Sequence, residues 1–381
     1  MAHTQRQQPL GRWSVISIIA SELEILDLQT HANSQTVNHH DAPSKSSIAG
    51  LLVRYRRPQL AASLHQLLVT LGLWAAMWPI MWWSLDVSYW LTLLLAVPAA
   101  FFSVRLFILQ HDCGHGSFFQ SRAANDSVGF VLGALTMTPY LCWRRQHATH
   151  HASNGKLDHR GIGDIDTMTV SEYVAMSWWG RLKYRMYRHP LVLFGIGPIF
   201  QIAVIQRFTF GLPKAWRRER DSVHVTNLVV LGAMAALVWV LDWRAVGLVY
   251  LPVMAMAGSI GVWLFYVQHQ FNPTYWQHDE DWDYHSAAID GSSYYHLPWL
   301  LRWLTANIGF HHIHHLDSRV PNYRLPKIYR DHPELRRTHR LSFWSSLRCA
   351  LFKLWDEKQQ RLVSFREASR LGEQIWGRSA C

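Results

Sequence analysis

The chain has 381 residues, 49% of them hydrophobic and 20 of them tryptophan, and it carries a formal net charge of +11. Its basic residues lie beside apolar stretches and accompany no groove-reading motif, which argues against a nucleic-acid partner. The four cysteines show no CxxC spacing, so a disulfide scaffold is not expected.

The first 60 residues are polar and end in the basic run Arg54, Arg56 and Arg57. Basic residues next to a span stay on the cytosolic side, so we interpret residues 1–60 as a cytosolic leader. The chain opens without the pattern of a cleaved signal peptide, and we expect insertion through internal spans. Residues 61–340 form the predicted membrane domain, and residues 341–381 form a predicted cytosolic C-terminal tail.

Four apolar stretches approach the length of about 20 residues that a bilayer requires. Residues 67–83 and 89–109 predict one helical hairpin, and residues 228–241 and 245–267 predict a second. The first member of the second pair is short for a span, so its helix is expected to begin nearer Val223.

Two further apolar segments, at residues 128–141 and 191–210, are ambiguous. Gly195, Gly197 and Pro198 interrupt the second of them. An odd number of crossings would also break the charge pattern, so we predict interfacial or re-entrant helices for both segments. Full spans in both places are the alternative.

The lysines and arginines between the two hairpins fall on the side of the leader, whereas the outer turns hold almost none. The positive-inside rule therefore predicts both termini in the cytosol. The residues behind this prediction are Arg144, Arg145, Arg181, Lys183, Arg185, Arg188, Lys214, Arg217, Arg218 and Arg220.

Three histidine clusters lie just beyond the predicted spans. Within each cluster, spacings of three and four residues bring the side chains to one face of a helix. The donors that share a face are His111 and His115 in the first cluster, His147, His150 and His151 in the second, and His311, His314 and His315 in the third.

Eight imidazoles exceed the three or four donors, roughly, that a zinc ion takes in proteins, which predicts two metal ions. Imidazole suits iron, zinc, copper and nickel, so the donor type leaves the metal open. The Glu-x-x-His motifs of soluble di-iron bundles are absent.

Two more histidines can be assigned by position. His269 follows the last span, so we predict a ninth donor at the depth of His111, the alternative being an interfacial histidine bonded to a backbone carbonyl. His312 lies about 100 degrees around a helix from His311 and should point elsewhere. Asn307, four residues before His311, could approach the metals on the same face or cap the helix.

The clusters resemble the three histidine boxes of membrane fatty acid desaturases, especially bacterial and plastid-type acyl-lipid desaturases that act at the Δ12 (ω-6) position. The likeness extends through residues 266–271 and 307–310 to residues 321–323, and it covers roughly residues 51–329. The boxes read His111-Asp112-Cys113-Gly114-His115, His147-Ala148-Thr149-His150-His151 and His311-His312-Ile313-His314-His315.

The resemblance implies an all-α integral membrane fold, with four transmembrane helices as two hairpins, interfacial helices and a cytosolic helical cap that carries the boxes. It also implies two iron ions and O2 as co-substrate, which together convert a saturated acyl bond to a cis double bond, and a bacterial inner membrane location. Asp112, Asp164 and Asp166 are candidate acceptors for the outer ring N–H groups, or else solvated loop carboxylates. No other catalytic residue and no substrate-binding residue is assigned.

Electrons must come from outside, because the chain holds neither an iron–sulfur cysteine cluster nor a dinucleotide fingerprint. A ferredoxin-like or other small acidic carrier is the expected partner, together with the membrane lipid substrate. Arg144, Arg145, Arg217 and Arg218 would steer the carrier, unless they serve only topology.

Two rival functions remain. One is hydroxylation or ketolation of an alkane or carotenoid at a similar di-iron centre, against which the string at residues 307–315 argues. The other is metal transport, which would place histidines within the spans along a pathway. Here the histidines lie beyond the spans.

Overall fold

The computed structural model describes residues 50–161 and 163–377, with side chains described as far as residue 371. Most of the predicted leader, residues 1–49, lies outside the described residues. The α-helices and strands are α1 (Leu60–Ser84), α2 (Tyr89–His115), α3 (Arg122–Leu135), α4 (Tyr140–Ser153), α5 (Val170–Ala175), α6 (Trp178–Tyr187), α7 (Gly197–Ala203), α8 (Arg217–Val240), α9 (Leu251–His269), α10 (Tyr284–Asp290), β1 (Tyr294–His296), α11 (Trp299–Leu304), α12 (His311–Leu316), α13 (Leu325–Asp331), β2 (Arg340–Ser342), α14 (Phe343–Ser346), β3 (Leu354–Asp356), β4 (Arg361–Val363) and α15 (Phe365–Gly377).

Four helices among the described residues are long and apolar enough to cross a membrane. They are α1, α2, α8 and the stretch Ala245–His269, in which a π-helical turn leads into α9. The predicted spans and the all-α membrane fold are confirmed. The helices begin earlier than predicted, α1 at Leu60 and α8 at Arg217, because polar residues such as His65 and Gln66 of α1 interrupt the apolar pattern ahead of the predicted start.

The two hairpins meet where α2 packs against α9. Small buried residues occupy this contact, including Ala96, Ala99 and Ala100 of α2 and Ala257 of α9. Small side chains allow membrane helices to approach closely. The packing brings the last turns of α2 and α9, which carry histidines, to the same end of the bundle.

Neither ambiguous segment is a straight helix. Between α3 and α4, Met137 has φ of +56°, a conformation that interrupts a helix. The second segment contains the stretch Val192–Arg207, which meets the preceding helix α6 at a bend of 55°, so the two form either a broken span or a re-entrant loop. The interfacial or re-entrant interpretation stays a prediction.

A cap of short elements covers the histidine end of the bundle. The strands β1 and β2 are parallel, with Tyr295 opposite Leu341, and β3 pairs with β4 as a hairpin. The predicted division at residue 340 stays a prediction. The described residues beyond it pack into the cap, where Trp355 is fully buried against Leu157 and Trp276.

Candidate metal centre

Each histidine cluster is placed by a helix. The first box forms the last turn of α2, the second lies on α4, and the third lies on the short helix α12. His269 is the final residue of α9. The elements therefore deliver all of these side chains to the junction between the bundle and the cap.

The nine histidines proposed from the sequence converge in two groups, within each of which one ring nitrogen per residue lies within 4.8 Å of the others. The groups adjoin, because the His151 ring stacks on His315 at 4.1 Å. The five-histidine group comprises His111, His115, His147, His151 and His314, and the four-histidine group comprises His150, His269, His311 and His315.

His151 is central to the five-histidine group. Its Nε2 atom lies 3.1 Å from Nε2 of His147 and 3.1 Å from Nε2 of His314. The Nε2 atom of His115 is buried and has no hydrogen-bond partner among the described residues. Two nitrogens that each lie about 2.1 Å from one ion are separated by roughly 3 Å, so this spacing suits a shared metal ion.

Hydrogen bonds determine which nitrogen faces inward in the four-histidine group. The Nδ1 atom of His269 donates to the Gly291 carbonyl at 3.1 Å, and Nδ1 of His150 donates to the Asp164 carboxylate. A carbonyl or an ionised carboxylate only accepts, so Nε2 of each ring carries a free lone pair. The two alternatives for His269, metal donor and carbonyl-bonded histidine, are thus compatible in one ring.

Three Nε2 atoms meet around His311. Those of His269 and His315 lie 2.9 Å and 3.1 Å from Nε2 of His311. Only one of these two contacts can be a hydrogen bond, because Nε2 of a neutral His311 ring offers either one N–H group or one lone pair. A bound cation would relieve the remaining lone-pair repulsion, and the donor set therefore fits a metal.

Burial holds the pKa of five of the histidines on α4 and α12 well below the ordinary value of 6.5, and the nearby imidazoles lower it further. Metals bind the neutral ring, so these side chains are in the binding form at neutral pH. The residues with this lowered pKa are His147, His151, His311, His314 and His315.

The predicted outer acceptors are placed differently. Asp112 lies 3.5 Å from Nδ1 of His111 and accepts two hydrogen bonds of 2.8 Å from the backbone and side chain of Asn322. The Asp166 carboxylate contacts no box histidine among the described residues, and its pKa is raised by burial. Asn307 has φ of +61° and precedes α12, so helical spacing does not place it on the His311 face.

His312 lies outside both groups. Its ring is fully buried and packs edge-on against Tyr294 and Tyr329, with centroid distances of 6.2 Å and 6.0 Å. Burial lowers its pKa to about 3. The side chain therefore lies in the apolar interior of the cap.

Three residues at the site had no assigned role in the sequence. Gly291 and Asn322 orient His269 and Asp112 through backbone or amide groups, which no side-chain pattern reveals. Trp143 stacks on His147 with centroids 4.6 Å apart. A Cβ atom at Gly114 would lie only 2.9 Å from the Trp143 ring, which explains the glycine inside the first box.

Comparison with known proteins agrees with this geometry. A family profile described as fatty acid desaturase matches residues 88–347. The chain is 44% identical over 332 residues to a fatty acid desaturase of Bacillus subtilis (strain 168), covering 87% of this chain and 93% of that protein.

Two relatives from Synechocystis sp. are more distant. Identity is 28% over 277 residues to an sn-1 acyl-lipid omega-3 desaturase (ferredoxin), covering 70% of each chain. It is 28% over 230 residues to an sn-1 oleoyl-lipid 12-desaturase, covering 58% of this chain and 62% of that protein. Together with the four spans, the similarities show that the chain belongs to the fatty acid desaturase family of membrane oxidoreductases.

Proposed function

We propose that this desaturase introduces a cis double bond at the Δ12 (ω-6) position of an acyl chain within a membrane lipid. The observation that carries the proposal is the convergence of nine imidazoles in two adjoining groups at the end of a four-span bundle. The acyl-lipid substrate and the Δ12 position are supported by the similarity to the sn-1 oleoyl-lipid 12-desaturase.

The five-histidine group and the four-histidine group would each hold one iron ion. When bound, the two ions supply the oxidising power needed to remove hydrogen from an unactivated methylene, which redox-silent zinc cannot do. The chain itself keeps five of the rings in the neutral form through burial, and through Asp164 and Gly291 it holds two rings in fixed orientation. Such outer hydrogen bonds also raise the basicity of the donor.

The redox balance requires an external reductant. Reduction of O2 to two waters consumes four electrons and four protons. Loss of two vicinal hydrogens from the acyl chain supplies two of each, so a carrier must supply the other two electrons, and the remaining two protons come from solvent.

A ferredoxin-like acidic carrier is the proposed donor, by analogy with the relative whose name includes ferredoxin. Arg217 and Arg218 are exposed at the start of α8, a helix that packs on α4, which carries the second box. Arg144, by contrast, pairs with Asp126 and is less available. Long-range attraction to this basic surface would raise the association rate at low salt.

The histidines lie where α2 and α9 end, which is also where α1 and α8 begin. We place this end in the cytosol, since the arginines between the hairpins lie there. A reporter fused after Cys381 should then show a cytosolic terminus, and a periplasmic signal would overturn this orientation.

The function is tested by expressing the chain in a bacterial host that contains oleoyl lipids. Lipids are analysed by mass spectrometry that locates double bonds, and anaerobically purified protein is analysed for metal. We expect a Δ12 diene that is absent with His314→Ala, and about two irons per chain. A hydroxylated product, or one zinc per chain, would overturn the proposal, and a new double bond elsewhere would overturn only the Δ12 position.

A further inference from the structure

Six large apolar side chains form an exposed patch on the cap, outside the membrane spans. Trp344 and Trp299 are the most exposed of them, at 76% and 72%. Exposed aromatic clusters of this kind mark an interaction site. The α11–α14 patch consists of Trp299, Leu300, Phe343, Trp344, Leu347 and Leu351.

The parallel strands explain why these residues lie together. β1 and β2 run in the same direction, with His296 opposite Ser342. The segments that follow the two strands therefore leave the pair at the same end. One continues into α11, and the other continues into α14 and the 3-10 turn Leu347–Leu351. Ser346 and Cys349 face inward and are buried, so the apolar residues of this second segment share its outward face.

Contacts with two spans set the depth of the patch. Arg105 on α2 donates to the Trp303 carbonyl at the end of α11 and lies over the Trp303 ring at 4.3 Å. Arg105 precedes His111 by six residues, which is about 9 Å along the helix axis toward the bilayer. The end of α11 therefore lies deeper than the first box.

The segment that follows β2 is also attached to a span. The Tyr266 hydroxyl on α9 donates to the carbonyls of Cys349 and Phe352 at 3.2 Å and 2.7 Å. Tyr266 precedes His269 by less than one helical turn. Both halves of the patch are thus held beside the membrane ends of α2 and α9.

The two chain segments that form the patch carry basic residues and no acidic residue. Residues 291–316 and 335–355 contain no aspartate or glutamate, and Arg336, Arg337, Arg340 and Arg348 are exposed. Apolar and aromatic residues bordered by arginines are typical of segments that lie in the bilayer interface and pair with anionic headgroups.

We infer that the α11–α14 patch inserts into the cytosolic leaflet, with acyl chains covering its apolar side chains and anionic headgroups pairing with the arginines. Residues 343–351 are then part of the membrane-bound body rather than of a cytosolic tail. Since α11 leads directly into α12, insertion also fixes the height of the third box above the bilayer. Lipid contact of the patch does not depend on the reaction catalysed, and only the choice of the cytosolic leaflet rests on the orientation proposed above.

Spin labels can test this placement. Trp344→Cys and Leu351→Cys are made separately in the full chain carrying Cys381→Ser, and each is reconstituted into vesicles of phosphatidylcholine and phosphatidylglycerol. Lys358→Cys, exposed in the β3–β4 turn, is the matched control. The parent chain, labelled in parallel, corrects for the buried cysteines Cys113, Cys142 and Cys349.

Labels at 344 and 351 are expected to be relaxed more by O2, which concentrates in lipid, than by a water-soluble nickel chelate. The label at 358 should show the reverse. Equal access of the nickel chelate at 344, 351 and 358 would place the patch in water and overturn the inference. Exclusion of both reagents from 344 and 351 would also overturn it, because the patch would then be covered by protein. Neither readout depends on desaturation, so failure of the proposed function would be seen separately.

Discussion

The five-histidine group and the four-histidine group adjoin but are oriented by different means. In the four-histidine group, His150 and His269 donate their outer N–H groups directly to Asp164 and Gly291. In the five-histidine group, the 3.5 Å separation of His111 from Asp112 exceeds a good hydrogen bond, and Nδ1 of His151 has no partner in the described part of the chain. We therefore expect metal binding by the four-histidine group to depend more strongly on fixed ring orientation than metal binding by the five-histidine group.

Removal of a donor from the smaller group is expected to have the largest effect. His269→Ala should reduce iron from about two per chain toward one and abolish desaturation, because each ion needs several donors. His312→Ala is the control, since His312 lies outside both groups. Iron is measured by mass spectrometry and folding by circular dichroism. If His312→Ala lost iron and His269→Ala kept it, the composition of the groups would be wrong.

Loss of the hydrogen bond between His150 and Asp164 is expected to have the next largest effect. Asp164→Ala frees the His150 ring and should cost about 10–100-fold in iron affinity or activity, as for other outer partners of metal ligands. Asp166→Ala is the matched control, since its carboxylate contacts no box histidine among the described residues. Iron retention is followed during chelator titration. Equal losses of iron in the two variants would show that Asp164 does not orient the His150 ring.

Asp112→Ala should affect iron less than Asp164→Ala, since the five-histidine group has an additional donor and only a long contact to Asp112. Its main effect should be on stability. The two N–H groups of Asn322 that bind Asp112 would be left unpaired, at a cost of about 1–3 kcal/mol each if they remain buried. Chelator titration and thermal unfolding separate the two effects. An iron loss larger than that of Asp164→Ala would contradict the comparison.

The smallest expected effect is on folding stability, and it involves the buried side chains of Lys353 and Arg188 behind the four-histidine group. Lys353 donates to the Arg188 carbonyl, and the Arg188 side chain donates to Thr167 and Gln270, the latter being the neighbour of His269. Burial lowers the pKa of Lys353 from 10.5 to about 8. Between these values the unfolded chain binds more protons than the folded one, so stability rises with pH.

The melting temperature of the wild-type protein should therefore gain a contribution between pH 8 and about 10 that Lys353→Met lacks. Below pH 8 the lysine is charged in both states, and the cost of burying that charge is fully present. The measurement compares the slopes of melting temperature against pH in detergent. Parallel slopes would show that Lys353 titrates normally.

The spans and boxes could be predicted because their signals are local. A run of apolar residues reports a span, and a spacing of three or four residues reports a shared helical face. The shared helical face does not extend to Asn307, because α12 begins only at His311 and the preceding turn has positive φ, and a role for Asn307 near the metals stays a prediction. Nothing in the spacing shows where a short helix starts.

The partners that orient the rings could not be predicted, since they depend on contacts across the chain. Gly291 contributes a carbonyl that any residue could offer, and Asn322 reaches Asp112 across 210 positions. The burial of Trp355 similarly required the β3–β4 hairpin to fold onto Leu157 and Trp276. Such long-range packing leaves no periodic pattern in the sequence.

The membership of His314 in the five-histidine group also constrains the order of biosynthesis. His314 lies 163 positions after His151, which it contacts, while the other members lie on α2 and α4. During translation the first two boxes and both hairpins are synthesised before the third box. The complete donor set therefore forms only after α12 has left the ribosome and docked, so a metal ion that uses all five donors would be fully bound only at this late stage.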